Sequence, residues 1–120
     1  MEAIAQQFTD FYYATFDRNR AELHGLYRPQ SMLTFEGEQL QGADAITEKL
    51  KNLAFQKVQH KVETRDAQPT GDGNSLTVMV TGALMVDDSP SPMRFSQTFT
   101  LIPDAGSYFV FNDIFRLNYG

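Results

Sequence analysis

The segments SLTVMVTGALMV (residues 75–86) and MRFSQTFTLI (93–102) carry apolar residues on both parities of a period-two pattern. Leu76, Val78, Val80 and Leu84 fall on one parity, and Met79, Ala83 and Met85 on the other. Successive side chains of a strand point to opposite faces, so a sheet built from such strands needs cover on both sides. The upstream part of the chain supplies cover for one. Ile4, Phe8, Phe11, Tyr12 and Phe16 recur at helical spacing and predict an amphipathic helix over about 2–17 with its aromatic stripe in the core. Asp17 is expected to cap a second, shorter helix carrying Leu23 and Leu26. A hairpin turning at Glu36-Gly37 and a third helix with Ile46, Leu50 and Leu53 on one side follow. Helices first and a meander of long strands afterwards predict a single α+β domain over 1–120, with three helices on one side of a curved, mainly antiparallel sheet. The opposite side is expected to meet another subunit.

The remaining strands set a puzzle. KVQHKVETRD (57–66) alternates Val58, His60, Val62, Thr64 and Asp66 against Gln59, Lys61, Glu63 and Arg65. In FVFNDIFRLNY (109–119), alternation places Phe109, Phe111, Phe115, Leu117 and Tyr119 on one face with Asp113 among them. An ionised acid there is costly unless paired, and one kept protonated by an apolar site can act in catalysis. His60 shares the inward parity of its own strand, so Asp113 and His60 pair if the sheet's curvature brings them together.

Composition excludes several classes. Lys and Arg number 10 against 15 Asp and Glu, giving a net charge of −5, and the bases form no stripe, so a nucleic-acid surface is not expected. There is no cysteine, hence no disulfide, thiolate metal site or thiol nucleophile. MEAIAQQF lacks the features of a leader, and no run approaches the ~18 apolar residues of a membrane span. A cytosolic or nuclear location is expected. His24 and His60 have no ligand-like spacing, Asp87-Asp88 lies outside any calcium-loop pattern, and TGDGNS (70–75) reads as a turn rather than a phosphate loop. No metal or cofactor is expected.

Two acidic features stand beside apolar segments: Glu36 after Phe35, and Asp87-Asp88 after the strand ending at Val86. They read either as solvated turn carboxylates or as the rim of a docking site for a basic partner with an apolar anchor.

Four blocks in order, FYYATFDRNRAELHGLY, SMLTFEGEQLQGADAI, LAFQKVQHKVETRDAQP and YFVFNDIFRLNY, resemble the nuclear transport factor two family over essentially the whole chain. The resemblance implies a cone-like α+β fold, a homodimer of apposed sheets, import of the GDP-bound small GTPase Ran, and weak binding to FxFG nucleoporin repeats. It implies residence in cytoplasm and nucleus and at pores of the nuclear envelope. By the same resemblance, a hydrophobic cavity receives an aromatic of Ran's switch II region. Phe35 matches the cavity aromatic and Glu36 the flanking acid. Leu53, Val58, Leu84, Val86, Ile114 and Phe115 match further lining positions, and Asp87 and Asp88 the second acidic cluster. The chain departs from animal members at Ser89, where they carry an acid, at Ala54, where many relatives have proline, and at an N-terminal aromatic that has no counterpart here. Repeat binding is therefore expected to use other apolar positions.

The rival reading is an enzyme of the same fold superfamily, such as a ketosteroid isomerase, using acids in the cone cavity. It would require a general base and an oxyanion donor converging on one small ligand. The block matches favour a non-enzymatic carrier with no catalytic residue, and Asp113 and His60 are then structural polar groups.

Overall fold

The computed structural model describes residues 1–119. Helix α1 spans Glu2–Arg18 and buries Ala5, Tyr12, Tyr13 and Phe16. Tyr13 takes the place expected of Phe11, which lies outside the core and is 55 % exposed. Asn19, in extended conformation, ends α1, and its side chain accepts from the Ala21 N–H at 3.2 Å. This starts a 3-10 helix, Arg20–Leu26, whose Leu23 is buried. Asp17 is thus not the expected cap, because its carboxylate is engaged elsewhere.

Strand β1 (Tyr27–Phe35) turns at Glu36-Gly37, both with positive φ, into β2 (Glu38–Gln41). Helix α2 (Ala43–Lys51) then leads to the long strands β3 (Val58–Thr70), β4 (Ser75–Val86), β5 (Met93–Asp104) and β6 (Ser107–Asn118). The six strands form one sheet in the order β2-β1-β6-β5-β4-β3. Every pairing is antiparallel except β1 with β6. The α+β architecture is as the sequence predicts.

Strict alternation fails in two strands, for the same reason. In β3, Val62 faces Gly82 and Thr64 faces Thr81, so Glu63 is an extra residue. In β6, Val110 faces Leu101 and Asn112 faces Thr100, so Phe111 is extra. Each bulge reverses the parity beyond it and bends its strand. Thr64 and Asp66 therefore turn outward, opposite Thr81 and Met79. Asp113 shares its face with Val110, Phe115 and Leu117, which oppose the inward residues Leu101, Gln97 and Phe95. Phe109 is on the other face, where the Arg28 guanidinium lies 5.0 Å from its ring.

The core lies between this concave face and the helices, with Phe95, Phe99, Val78 and Val80 fully buried. Among the described residues, no helix covers the other face. On it Met32, Met79, Met85 and Ile114 are 38 to 51 % exposed, and Met79 and Ile114 both pair with Thr98, so they flank it across the sheet.

Gly82 permits the β3 bulge. A Cβ there would fall inside van der Waals contact of the Lys61 carbonyl oxygen and 3.1 Å from the Phe95 ring. Gly82→Ala is expected to destabilise the fold by about 2–3 kcal/mol through overpacking, read as a lower urea midpoint at unchanged m.

Candidate functional site

A cavity of ≈ 30 Å³ lies between the concave face and the helices. Tyr12 and Phe16 of α1, Leu33 and Phe35 of β1 and Leu50 of α2 form one part of its wall, and Leu84, Met93, Phe115 and Leu117 of the sheet another, with Phe55 from the α2–β3 connection. Phe35 stacks on Phe115 at 4.8 Å between ring centres, and Phe115 on Phe95 at 5.7 Å. Lys49 spans the outside of this stack, 5.6 Å from the Phe35 ring and bonded to Glu38 at 2.8 Å.

Asp113 and His60 both line the cavity but do not pair. His60 is tied to Asp17. Its Nδ1 lies 2.6 Å from Asp17 Oδ1, and its backbone N–H donates to Oδ2 at 2.9 Å. Its ring packs 4.6 Å from Tyr13, 4.9 Å from Phe16 and 5.5 Å from Phe95. Asp113 is served by three other donors. Gln97 Nε2 donates to Oδ1 at 2.8 Å, the Tyr27 hydroxyl to Oδ2 at 2.8 Å, and Tyr12 more weakly to Oδ2 at 3.4 Å. Tyr13 in turn donates to Gln97 Oε1 at 2.8 Å, which fixes the amide so that its NH₂ faces Asp113.

Burial pushes the Asp113 carboxyl up to about 6, against the pull of the donated hydrogen bonds. Burial and the Asp113 charge raise the Tyr12 and Tyr27 hydroxyls well above their ordinary range, so both remain donors. Gln97 was the visible signal in the sequence, as the amide on the inward parity of an otherwise apolar strand. The tyrosines gave none, since Tyr12 reads as part of the core stripe of its helix and Tyr27 as a residue that ends the second helix.

Of the other expected site residues, Phe35, Leu84 and Phe115 line the cavity. Leu53, Val58 and Val86 pack on the core without lining it. Ile114 is a correction: its neighbour Phe115 points inward, so Ile114 lies on the helix-free face and cannot share the cavity. The acids are not merely solvated turn groups. Glu36 takes up φ 51°, its N–H donates to the Phe115 carbonyl at 3.0 Å, and its Oε1 accepts from the Leu117 N–H. Asp87 takes up φ 50°, and its Oδ1 accepts from the Gln56 and Lys57 N–H groups, each at 3.0 Å. Those two amides hold its carboxyl below the usual range. Asp88 is exposed.

This arrangement suits recognition better than turnover. About 30 Å³ admits a water or two, whereas small-molecule sites run to roughly 300–1,000 Å³. The one buried acid among the described residues already accepts from Gln97 and Tyr27, each at 2.8 Å.

Residues 4–117 match the family model of the nuclear transport factor 2 (NTF2) domain. The chain belongs to that family. It is 61 % identical over 117 residues to nuclear transport factor 2 of Candida glabrata, covering 98 % of this chain and 94 % of that one. It is 60 % identical over 116 residues to its counterpart in Saccharomyces cerevisiae, covering 97 % and 93 %. The solved nuclear transport factor 2 of Cryptosporidium parvum superposes with a TM-score of 0.91 at 46 % identity, covering 98 % of this chain and 94 % of that one. A putative scytalone dehydratase of Novosphingobium aromaticivorans, with a TM-score of 0.83 at 13 % identity over 98 % of this chain and 84 % of that one, shares the fold alone. The NTF2 relatives are named as transport factors rather than enzymes, which is the class the sequence predicts, and the chain has a nuclear transport factor role.

Asp113→Ala would strand the Gln97 amide and one hydroxyl of the Tyr12–Tyr27 pair, whose oxygens lie 3.0 Å apart, as buried donors, and is expected to cost about 3 kcal/mol in chemical denaturation. Its pH signature is separate. The folded carboxyl titrates near 6 and an exposed Asp near ~3.9, so the folded chain holds the proton to higher pH. Asp113 therefore contributes most below about pH 4 and loses that contribution as pH rises through about 6. Against Asp113→Asn, the parent should gain roughly 2–3 kcal/mol of relative stability between ~pH 7 and ~pH 4, measured by urea unfolding of both.

Proposed function

We propose that this protein is a carrier for GDP-bound Ran, working as a homodimer that shuttles between cytoplasm and nucleus and passes the pores of the nuclear envelope by weak contacts with FxFG nucleoporins. The observation that carries the reading is an aromatic-lined cavity in an NTF2-family chain with carboxylates beside it, Glu36 and Asp87, each anchored through backbone amides. An aromatic anchor of the partner seats against the Phe35–Phe115 stack, and its flanking bases meet Glu36, Asp87 and Asp88. Anchors of this kind are worth ~2 kcal/mol or more, while the acids steer and orient the approach. Preference for the GDP form follows from docking onto a switch segment whose conformation depends on nucleotide.

The helix-free face supports the dimer. Met79, Met85 and Ile114 together with Met32 leave an apolar patch that a second copy covers. Sedimentation at low micromolar concentration is expected to give twice the chain mass of 13.6 kDa. Met79→Glu, which places a charge in the middle of that face, should yield monomer or unfolded chain.

Glu36 separates charge from structure. Glu36→Gln keeps an acceptor for the Leu117 N–H and removes only the charge, so it should retain the parent's melting temperature while weakening capture of GDP-loaded Ran about tenfold or more. Glu36→Lys should abolish capture. Equal capture of Ran by parent and Glu36→Gln, or equal capture of its GDP and GTP forms, would refute the reading.

A further inference from the structure

Residues 52–57 join α2 to β3 without regular structure, and Phe55 from this strap forms part of the cavity wall. The strap is held from two sides. From the 3-10 helix, Arg20 Nη2 donates to the Phe55 carbonyl at 3.0 Å, and the guanidinium lies 5.0 Å from the Phe55 ring and 5.8 Å from the Phe16 ring. From the end of β4, Asp87 accepts the Gln56 and Lys57 N–H groups on Oδ1, and its own N–H donates to the Lys57 carbonyl at 2.8 Å. Among the described residues, Asp87 Oδ2 accepts no hydrogen bond and is left for a partner.

Arg20 is an odd choice for stability alone. Its Nη1 is buried with no hydrogen-bond partner among the described residues, which costs folding free energy. The guanidinium also feels Asp87 directly, since the charge of that carboxylate opposes the lowering of the Arg20 pKa by burial. One side chain therefore touches the strap's carbonyl, its aromatic ring and the field of the acid that the strap's amides hold.

We infer that Arg20 is a positioning residue for partner capture: by fixing the Phe55–Lys57 strap it sets both the cavity wall at Phe55 and the direction of the free Asp87 oxygen. The inference rests on the reading of this site as the Ran site. A lysine cannot replace it, because a point charge on a flexible stem does not stack between two rings while reaching a fixed carbonyl. Methionine keeps much of the packing and loses the donor and the charge.

Two measurements on the intact protein test this. Amide hydrogen exchange of Gln56 and Lys57 by NMR, in the absence of Ran, reads the strap itself. Arg20→Met and Arg20→Lys are both expected to speed exchange there by about tenfold relative to the amides of β5. Capture of GDP-loaded Ran, measured by surface plasmon resonance on Arg20→Met, Asp87→Asn and the double variant, reads the consequence. Arg20→Met alone should weaken binding about tenfold, and only about threefold once Asp87→Asn has removed the charge that Arg20 aims, the remainder being the part that works through the Phe55 wall. Unchanged exchange, additive losses in the double variant, or full rescue by Arg20→Lys would each overturn the inference. If the parent fails to capture Ran while the variants still exchange faster, the Ran reading falls and the dependence of the strap on Arg20 stands.

Discussion

A single carboxylate joins the layers of this molecule. Asp113 on β6 takes hydrogen bonds from Tyr12 on α1, Tyr27 at the start of β1 and Gln97 on β5, and Tyr13 of α1 fixes Gln97. A helix, the first strand and two adjacent central strands thus converge on one acid. Apolar packing tolerates sliding, but an ionised group in a dry interior does not, because each lost donor leaves charge uncompensated. The network specifies how α1 sits on the sheet at a cost in raw stability that the raised pKa of the acid reports.

Around that point the site is arranged by backbone amides. Glu36 and Asp87, two of the acids proposed for recognition, sit in left-handed backbone at the end of a strand and spend one oxygen on N–H groups of another segment. Such conformations are sparsely populated for residues with a Cβ and persist only where neighbours over-determine them. The carboxylates are thereby preorganised, so that little rotamer freedom remains to be lost when a partner arrives.

Much of this was legible in the chain. Helical periodicity at 4–16 and 46–53, the Glu36-Gly37 turn and the two-sided apolar strands fixed the layer order and an uncovered face. The residues that pattern reading put on the wrong face have one physical origin. Period two is a property of unbroken strands, and a bulge needs only one extra residue with no compositional mark; Glu63 and Phe111 look like any other strand residue. Every inference that crossed those points inherited the wrong face, Phe109 among them. The Asp113–His60 pairing failed differently. Both side chains do point inward, but parity places a residue on a face and says nothing of which neighbour it reaches. Asp17, read as a helix cap, reached His60 instead.

The parallel pairing of β1 with β6 puts Leu33 beside Asp113. All other neighbours in the sheet are consecutive strands, so this one pairing, Leu33 with Asp113, closes a loop of about two thirds of the chain and bears most of the entropic cost of topology. It also orders events during synthesis. Until β6 is available, β1 and β5 both present unpaired edges, and Tyr12, Tyr27 and Gln97 lack the carboxylate on which they converge. A chain emerging from the ribosome can form α1 and the β3–β4 and β4–β5 hairpins, yet it stays an open half-sheet with bare edges until its last strand is free. In that interval it is exposed to chaperones and to edge-to-edge association.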